Sequence, residues 1–364
     1  MNYIGSKYSL LDFLETSIKQ VIGTGDKVFC DLFAGTGAVG THFKKQGYQI
    51  IANDLQYYSY VLNRHYIGNR HPLPFNGLKD VIPKKKGTLP ESPMSESPMP
   101  ESPINGICDY LSQLEGVKGF LYKHYAPTGS LQTGTQRQFF TDENAMKCDA
   151  VRIQIETWKQ SGKITDDEYF FLLTTLLENI DARANTASVY AAFLKEIKRT
   201  ALTPLRLKPA VLIENGLEHA VFNADANELI AQIQSDILYL DPPYNHRQYS
   251  SNYHILETIA RYDHPSIRGK AGLRDGELRS AYCSRNSVKK TFHDLICRAK
   301  TKHIFVSYNN EGIMSLEDIR EILEQRGSYR CFTKQYKRFQ ADIQTNRNIK
   351  GKETVEYLHY VEVK

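Results

Sequence analysis

Apolar side chains at Leu10, Leu11, Leu14 and Ile18 give residues 7–20, KYSLLDFLETSIKQ, the spacing of an amphipathic helix. The rhythm then changes. KVFCDLF (27–33) and QIIAND (49–54) are short apolar runs, and AGTGAVG and THFKKQ between them read as a glycine turn and a helix, so residues 27–54 predict strand, turn, helix, strand. This alternation lapses after Tyr66. A helical period covers 141–199, where Thr165-Asp-Asp-Glu168 before YFFLLTTLL forms a capping box, and two or three helices are expected there. The alternation resumes with AVLI (210–213), AVFNAD (220–225), a helix through ANELIAQIQ (226–234) and the strand leading into DPPY. Helices at 251–262 and 287–299, a strand at 303–308, a helix at 315–326 and β runs at 329–339 and 354–363 complete the series.

The pattern predicts an α/β fold into which a mainly helical lobe is inserted, with 1–70 and 200–364 as one domain and 71–199 as the lobe. The last two β runs have no helix between them, so the sheet should end in an antiparallel pair. Within the insertion, residues 83–104 hold six of the fourteen prolines and the repeat ESPMS, ESPMP, ESPIN. Too polar to bury a core, this Pro/Ser/Glu stretch is expected to be a disordered surface insertion without chemistry.

Net charge is only +5, but it is unevenly placed: residues 261–350 carry nineteen Lys and Arg against ten Asp and Glu, leaving −4 for the remainder. Within that third, 264–290 has seven basic and two acidic residues and no apolar period, which reads as a long, basic, mobile loop, or simply a solvated one. The six cysteines are scattered without a CxxC pair, so no metal site or disulfide framework is indicated. Neither a secretory pattern nor a membrane-spanning apolar run is found, and no membrane partner is expected.

Gly35-Thr-Gly37-Ala-Val-Gly40 matches GxGxxG between a strand and a helix, and Asp54 ends the next strand. A dinucleotide fold shares this signature. Its physical content suits any nucleoside cofactor, because small residues admit the ligand to the backbone and an acidic group can accept from both ribose hydroxyls. Asp241-Pro242-Pro243-Tyr244 follows the apolar run ILYL and stands where open α/β sheets bind ligands. The carboxylate of Asp241 and the carbonyl of Pro242 form an acceptor-only array beside an aromatic ring. Such an array suits an exocyclic amine on a planar base: both amine hydrogens are held, the nitrogen lone pair is drawn from conjugation, and Tyr244 stacks on the base. Taken alone, DPP can equally be a strand-ending turn.

Taken together, NYIGSK (2–7), DLFAGTGAVG (31–40), NDLQYYS (53–59), NAD (223–225) and DPPY (241–244) resemble the ordered motifs of the Dam-like class of DNA adenine methyltransferases, especially modification enzymes of type II and IIS restriction systems. The resemblance extends to NHRQYSSNYHILETIARYD after DPPY and to NTASVYAAFLKEIK (185–198). It implies a Rossmann-like seven-stranded sheet with an antiparallel final hairpin, S-adenosylmethionine as cofactor, and Tyr3, Lys7, Asp31, Phe33, Ala34, Gly35, Gly37, Asp54, Asp225 and Asp241 around it. Lys7 would lie near the cofactor carboxylate, Asp54 would take the ribose and Asp225 the adenine amine. Asp241, Pro242, Pro243 and Tyr244 would be the catalytic residues, acting on an adenine flipped from double-stranded DNA.

By the same resemblance the insertion is the target-recognition lobe, with Arg137, Arg152, Arg183, Asn185, Thr186, Tyr190 and Lys195 as candidate DNA contacts. The run Asn245-His246-Arg247-Gln248-Tyr249 would sit beside the flipped base, with Arg247 as the candidate backbone or orphan-base contact, and Arg274, Arg279 and Lys289 of the basic loop would clamp phosphates, followed by Tyr336, Lys337 and Arg338. A cognate restriction endonuclease, a cytoplasmic location, a monomer or weak dimer, and a CATG site with GGATG as competitor complete the expectations. An RNA adenine or protein glutamine methyltransferase and a non-catalytic nucleic-acid-binding subunit are the alternatives. The resemblance implies Asn more often than Asp at the first position of the tetrapeptide in the former, so Asp241 and the large helical insertion favour DNA, and an intact Asp54 and DPPY argue against the latter.

Overall fold

The computed structural model describes residues 6–81, 103–276, 278–310, 312–337 and 353–364. In chain order the elements are α1 (Leu11–Lys19), β1 (Val28–Asp31), α2 (Ala38–Lys45), β2 (Gln49–Asn53) and α3 (Tyr57–Asn63), which runs into a π-helical turn, Arg64–Gly68. Next come α4 (Pro103–Gln113), α5 (Phe120–Tyr125), α6 (Pro127–Leu131), α7 (Asp142–Gln160), α8 (Asp166–Asp181) and α9 (Arg199–Leu202). The chain continues through β3 (Ala220–Phe222), α10 (Ala226–Leu229), β4 (Ile237–Leu240), α11 (Tyr249–Asn252), α12 (His254–Arg261) and the short antiparallel pair β5 (Ile267–Arg268) and β6 (Leu273–Arg274). It ends with α13 (Val288–Arg298), β7 (His303–Asn309), α14 (Leu316–Glu324), β8 (Gly327–Lys337) and β9 (Glu353–Val363).

Seven strands form one sheet in the order β3-β2-β1-β4-β7-β9-β8. The first five are parallel, and β9 lies antiparallel between β7 and β8, which gives the expected terminal hairpin. The order reverses between β1 and β4, so a crevice opens at their carboxyl ends, the place where sheets of this kind take ligands. One apolar cluster joins α1 and α2 to the sheet through Leu14, Ile18, Phe29 and Phe43. A second packs α13 and α14 through Phe292, Leu295, Ile319 and Leu323. Among the described residues no helix is long and apolar enough to cross a membrane.

The helical region is more extensive than the period over 141–199 indicated, since α4 to α6 precede the pair α7 and α8. The apolar cluster that joins these helices also takes in Tyr58, Val61 and Leu62 of α3 and Ile255, Leu256 and Ile259 of α12. The capping box at Thr165 and Glu168 is present, and Glu168 also accepts the N–H of Phe75 (2.5 Å). Residues 82–102, which contain the repeat up to Ser102, lie outside the described residues, and the last of its prolines opens α4.

Several expectations are corrected. Residues 185–198 are not helical: the Asn185 N–H goes to Phe139 O, its side-chain amide to Gln138 O and Leu194 O, and the Tyr190 N–H to Asn252 O, so tertiary partners replace the helical ladder. AVLI forms no strand, because side chains serve its backbone: Thr175 Oγ1 accepts the Ala210 N–H and His65 bonds the Val211 carbonyl. The helix at 226–234 shortens to Ala226–Leu229, and that at 251–262 starts earlier and breaks at Tyr253. The basic loop contains the pair β5 and β6, whose turn carbonyls at Gly269 and Lys270 are held by the Arg137 guanidinium (2.8 and 3.2 Å).

Candidate active site

The cofactor side of the crevice is built by the turn after β1. Gly35 and Gly37 have φ of +52° and +79°, and a Cβ on Gly37 would stand 2.7 Å from Asn63 Oδ1, so both conformation and space require glycine at 37. Asp54, just past β2, accepts the N–H groups of Gly35 (2.8 Å) and Gln56 (2.9 Å), tying the two strand ends together. Burial raises its carboxyl to about 6 against the pull of those donors. Asn53 bonds the carbonyls of Leu32 and Ala224 and accepts the Ala224 N–H, and so positions Asp225 next in line. Asp225 caps α10, accepting from Asn227 (2.8 Å), and its side of the cavity is walled by Phe33 and Tyr282, whose rings meet edge to face at 5.1 Å.

One cavity, open to solvent, is lined by Lys7, Asp31, Phe33, Ala34, Gly35, Asp54, Asp225 and Asp241. Gly37 caps α2 behind it. Tyr3 lies outside the described residues. The small residues and row of carboxylates suit a nucleoside that carries positive charge.

Asp241 follows β4, two residues past Tyr239, the partner of Asp31 at the end of β1. Asp31 is buried, accepts the Gly40 N–H at 3.1 Å through Oδ2, and has no hydrogen bond at Oδ1 among the described residues. Burial first, and then the neighbouring charges of Asp241 and Asp54, push its carboxyl up to about 8. Lys7 is buried and lines the cavity. Its ammonium lies 2.8 Å from Glu356 Oε1 and 3.2 Å from Asp241 Oδ1, two carboxylates of the chain itself. Burial works against the Lys7 charge, but these carboxylates outweigh it and hold the ammonium well above its ordinary value. The Asp241 carboxyl is raised by burial to about 6, with Lys7 drawing it down and Glu356 pushing it up.

Pro242 is buried and Pro243 lines the cavity. The Tyr244 ring stands edge to face with Tyr308 at 6.2 Å, the Lys7 ammonium lies 5.8 Å from its centre, and its carbonyl accepts the Ile313 N–H. Gln248 and Ser280 exchange two bonds at the mouth, Ser280 N–H to Oε1 (2.8 Å) and Nε2 to Ser280 O (3.3 Å). Sequence reasoning missed Glu356, Asn53, Asn63 and Tyr282. For Tyr282 the available signal was its place in the basic loop.

The proposed DNA contacts separate into two groups. Arg137, Arg152, Asn185, Thr186, Tyr190 and Arg274 are buried. Arg152 donates to the carbonyls of Ile259 and Ala260, Tyr190 to Asp181, and Arg274 to Asp263 (2.6 Å), so these side chains are engaged within the fold. Arg183 is half-buried. Lys195, Arg247 and Arg279 are exposed, as is Lys289, which is paired with Asp318 and Glu321. Tyr336 and Lys337 lie on β8, and Arg338 is outside the described residues.

Residues 3–322 match the model of the D12 class N6 adenine-specific DNA methyltransferases. The chain is 50% identical to the type II methyltransferase M.NlaIII of Neisseria lactamica over 364 residues, 100% of this chain and 99% of that protein. It is 32% identical to the type II methyltransferase M.CviAII of Paramecium bursaria Chlorella virus 1, over 99% of this chain and 98% of the other. With the type II methyltransferase M.FokI of Planomicrobium okeanokoites the identity is 37% over 100% of this chain, which spans about half of that relative, 52%. The match to the family model and the likeness along the whole of M.NlaIII agree with the chemistry of the crevice, and the chain belongs to the D12 class of N6 adenine-specific DNA methyltransferases.

Proposed function

We propose that the protein moves a methyl group from S-adenosylmethionine to the N6 amine of an adenine flipped out of duplex DNA, as the modification half of a restriction-modification pair. The observation that carries this reading is the meeting of Asp241 with Asp54, Gly35 and Asp31 in one cavity at the β1/β4 crevice. Asp54 would take the ribose, Asp225 the cofactor's adenine and Asp31 its cationic end. When bound, the cofactor supplies an electrophilic methyl on a sulfonium. Asp241 and the Pro242 carbonyl would hold the two amine hydrogens and aim the nitrogen, with Tyr244 stacked on the base. No base is needed before attack, because the amine proton becomes acidic only once nitrogen has gained the methyl, and the Asp241 carboxylate is the acceptor at hand. Pairing with an endonuclease is supported by the likeness to type II methyltransferases.

Asp241→Ala is expected to abolish methyl transfer while leaving cofactor binding within a few-fold of wild type. Wild-type turnover in that variant would sink the assignment. Single-molecule sequencing of DNA from cells expressing the protein should report N6-methyladenine in a fixed context, CATG or, in competition, GGATG.

A further inference from the structure

We propose that Glu356 is a positioning residue for methyl transfer: it holds the Lys7 ammonium between itself and Asp241, so that the three-charge cluster beyond β4 keeps one net negative charge toward the target amine. The inference rests on the reading of Asp241 as acceptor for that amine. Glu356 is fully buried on β9, opposite Asn309 of β7, on the same face as the buried Leu358 and Tyr360. A carboxylate is costly there unless it is paired. It is held by Lys7 at 2.8 Å and by the Ser307 hydroxyl at 2.5 Å, both donating to Oε1. Lys7 then reaches Asp241 at the longer distance of 3.2 Å.

The arithmetic of charge gives this arrangement its function. A lone Lys7–Asp241 pair would be neutral and would offer little to an amine nitrogen turning cationic. A second carboxylate on the same ammonium leaves a charge of −1 in a site where water does little to screen it. The groups facing Asp241 are Lys7 from the N-terminal segment, Glu356 from β9, Asp31 from β1 and Tyr239 from β4, while Tyr244 faces Lys7. A purely structural role, anchoring the N-terminal segment to the sheet, makes a different prediction: lower stability with no change in how Asp241 titrates.

The test is the single-turnover methylation rate as a function of pH, with cofactor affinity from equilibrium dialysis. In Glu356→Gln the plateau rate is expected to fall on the order of 10-fold, while affinity stays within about 2-fold. The acid limb should move to lower pH, because a like charge beside Asp241 is gone. Lys7→Met should move it to higher pH. Ser307→Ala removes the hydroxyl that competes for the same oxygen, draws the ammonium toward Glu356, and should also raise the limb. This variant carries the test if the Gln protein does not fold. An unmoved acid limb in the Gln variant, or in Ser307→Ala where that variant stands in, overturns the inference. If Asp241→Ala is inactive while Glu356→Gln behaves as wild type, only this inference fails, whereas activity in Asp241→Ala removes the reading beneath it.

Discussion

Asp31 offers a measurable proton. Its carboxyl is buried at the end of β1, accepts one N–H from Gly40, and is held near 8 by burial and the charges of Asp241 and Asp54. At pH 7 a group with that value is about 90% protonated, and ionising it costs about 1.4 kcal/mol, a factor of ten. A cofactor whose cationic end lies against Asp31 should expel this proton. Binding of S-adenosylmethionine at pH 7 is therefore expected to release about 0.9 proton, and affinity should rise about tenfold per pH unit from 6.5 toward 7.5 and level off above 8. Isothermal titration calorimetry in buffers of low and high ionisation enthalpy reads the release directly, and Asp31→Asn should abolish it. The stability of the free protein gives an independent check of sign. The folded value lies above the ordinary 3.8, so Asp31's contribution is fully present below about 3.8 and is lost as pH rises through about 8. Asp31→Asn should consequently melt higher than wild type at pH 8.5 and lose that advantage near pH 4. A binding enthalpy at pH 7 that does not depend on buffer, together with equal melting of the two proteins at pH 8.5, would refute the reasoning.

The basic residues between 264 and 290 should divide on substitution. Arg279→Ala removes an exposed cation and is expected to lower the slope of log K for DNA against log salt by about 0.9, with melting unchanged. Arg274→Ala removes a buried guanidinium from its exposed partner Asp263 and should destabilise the fold by about 1 kcal/mol, visible in a thermal or denaturant melt. Gly37→Ala forces a Cβ to 2.7 Å from Asn63 Oδ1 at a φ of +79°, and dialysis with labelled cofactor should show at least tenfold weaker binding, equivalent to about 1.4 kcal/mol.

What could be read from the residues is what is encoded locally. Asp31, Gly35, Asp54 and Asp241 each stand at the end of a short apolar run, and the position of a strand's end is legible from the run itself. Glu356 was not legible. A charged residue in the alternation of TVEYLHYVEV reads as solvent-facing, and only the antiparallel placing of β9 against β7 buries it beside the N-terminal Lys7, 349 residues away in sequence. The arginines were misread for a related reason. Arg152 and Arg274 look like free cations until Ile259, Ala260 and Asp263 arrive from another part of the chain. The same long-range logic explains why the helices between 71 and 199 are not an appendage. Glu257, on the helix that follows DPPY, accepts the N–H groups of Tyr57 (3.2 Å) and Tyr58 (2.9 Å) at the start of α3, the helix that follows Asp54. Both helices also contribute to the apolar cluster that joins those helices. The segment leaving the proposed ribose acceptor and the segment leaving the proposed amine acceptor are thus fixed to each other and to the helices between 71 and 199.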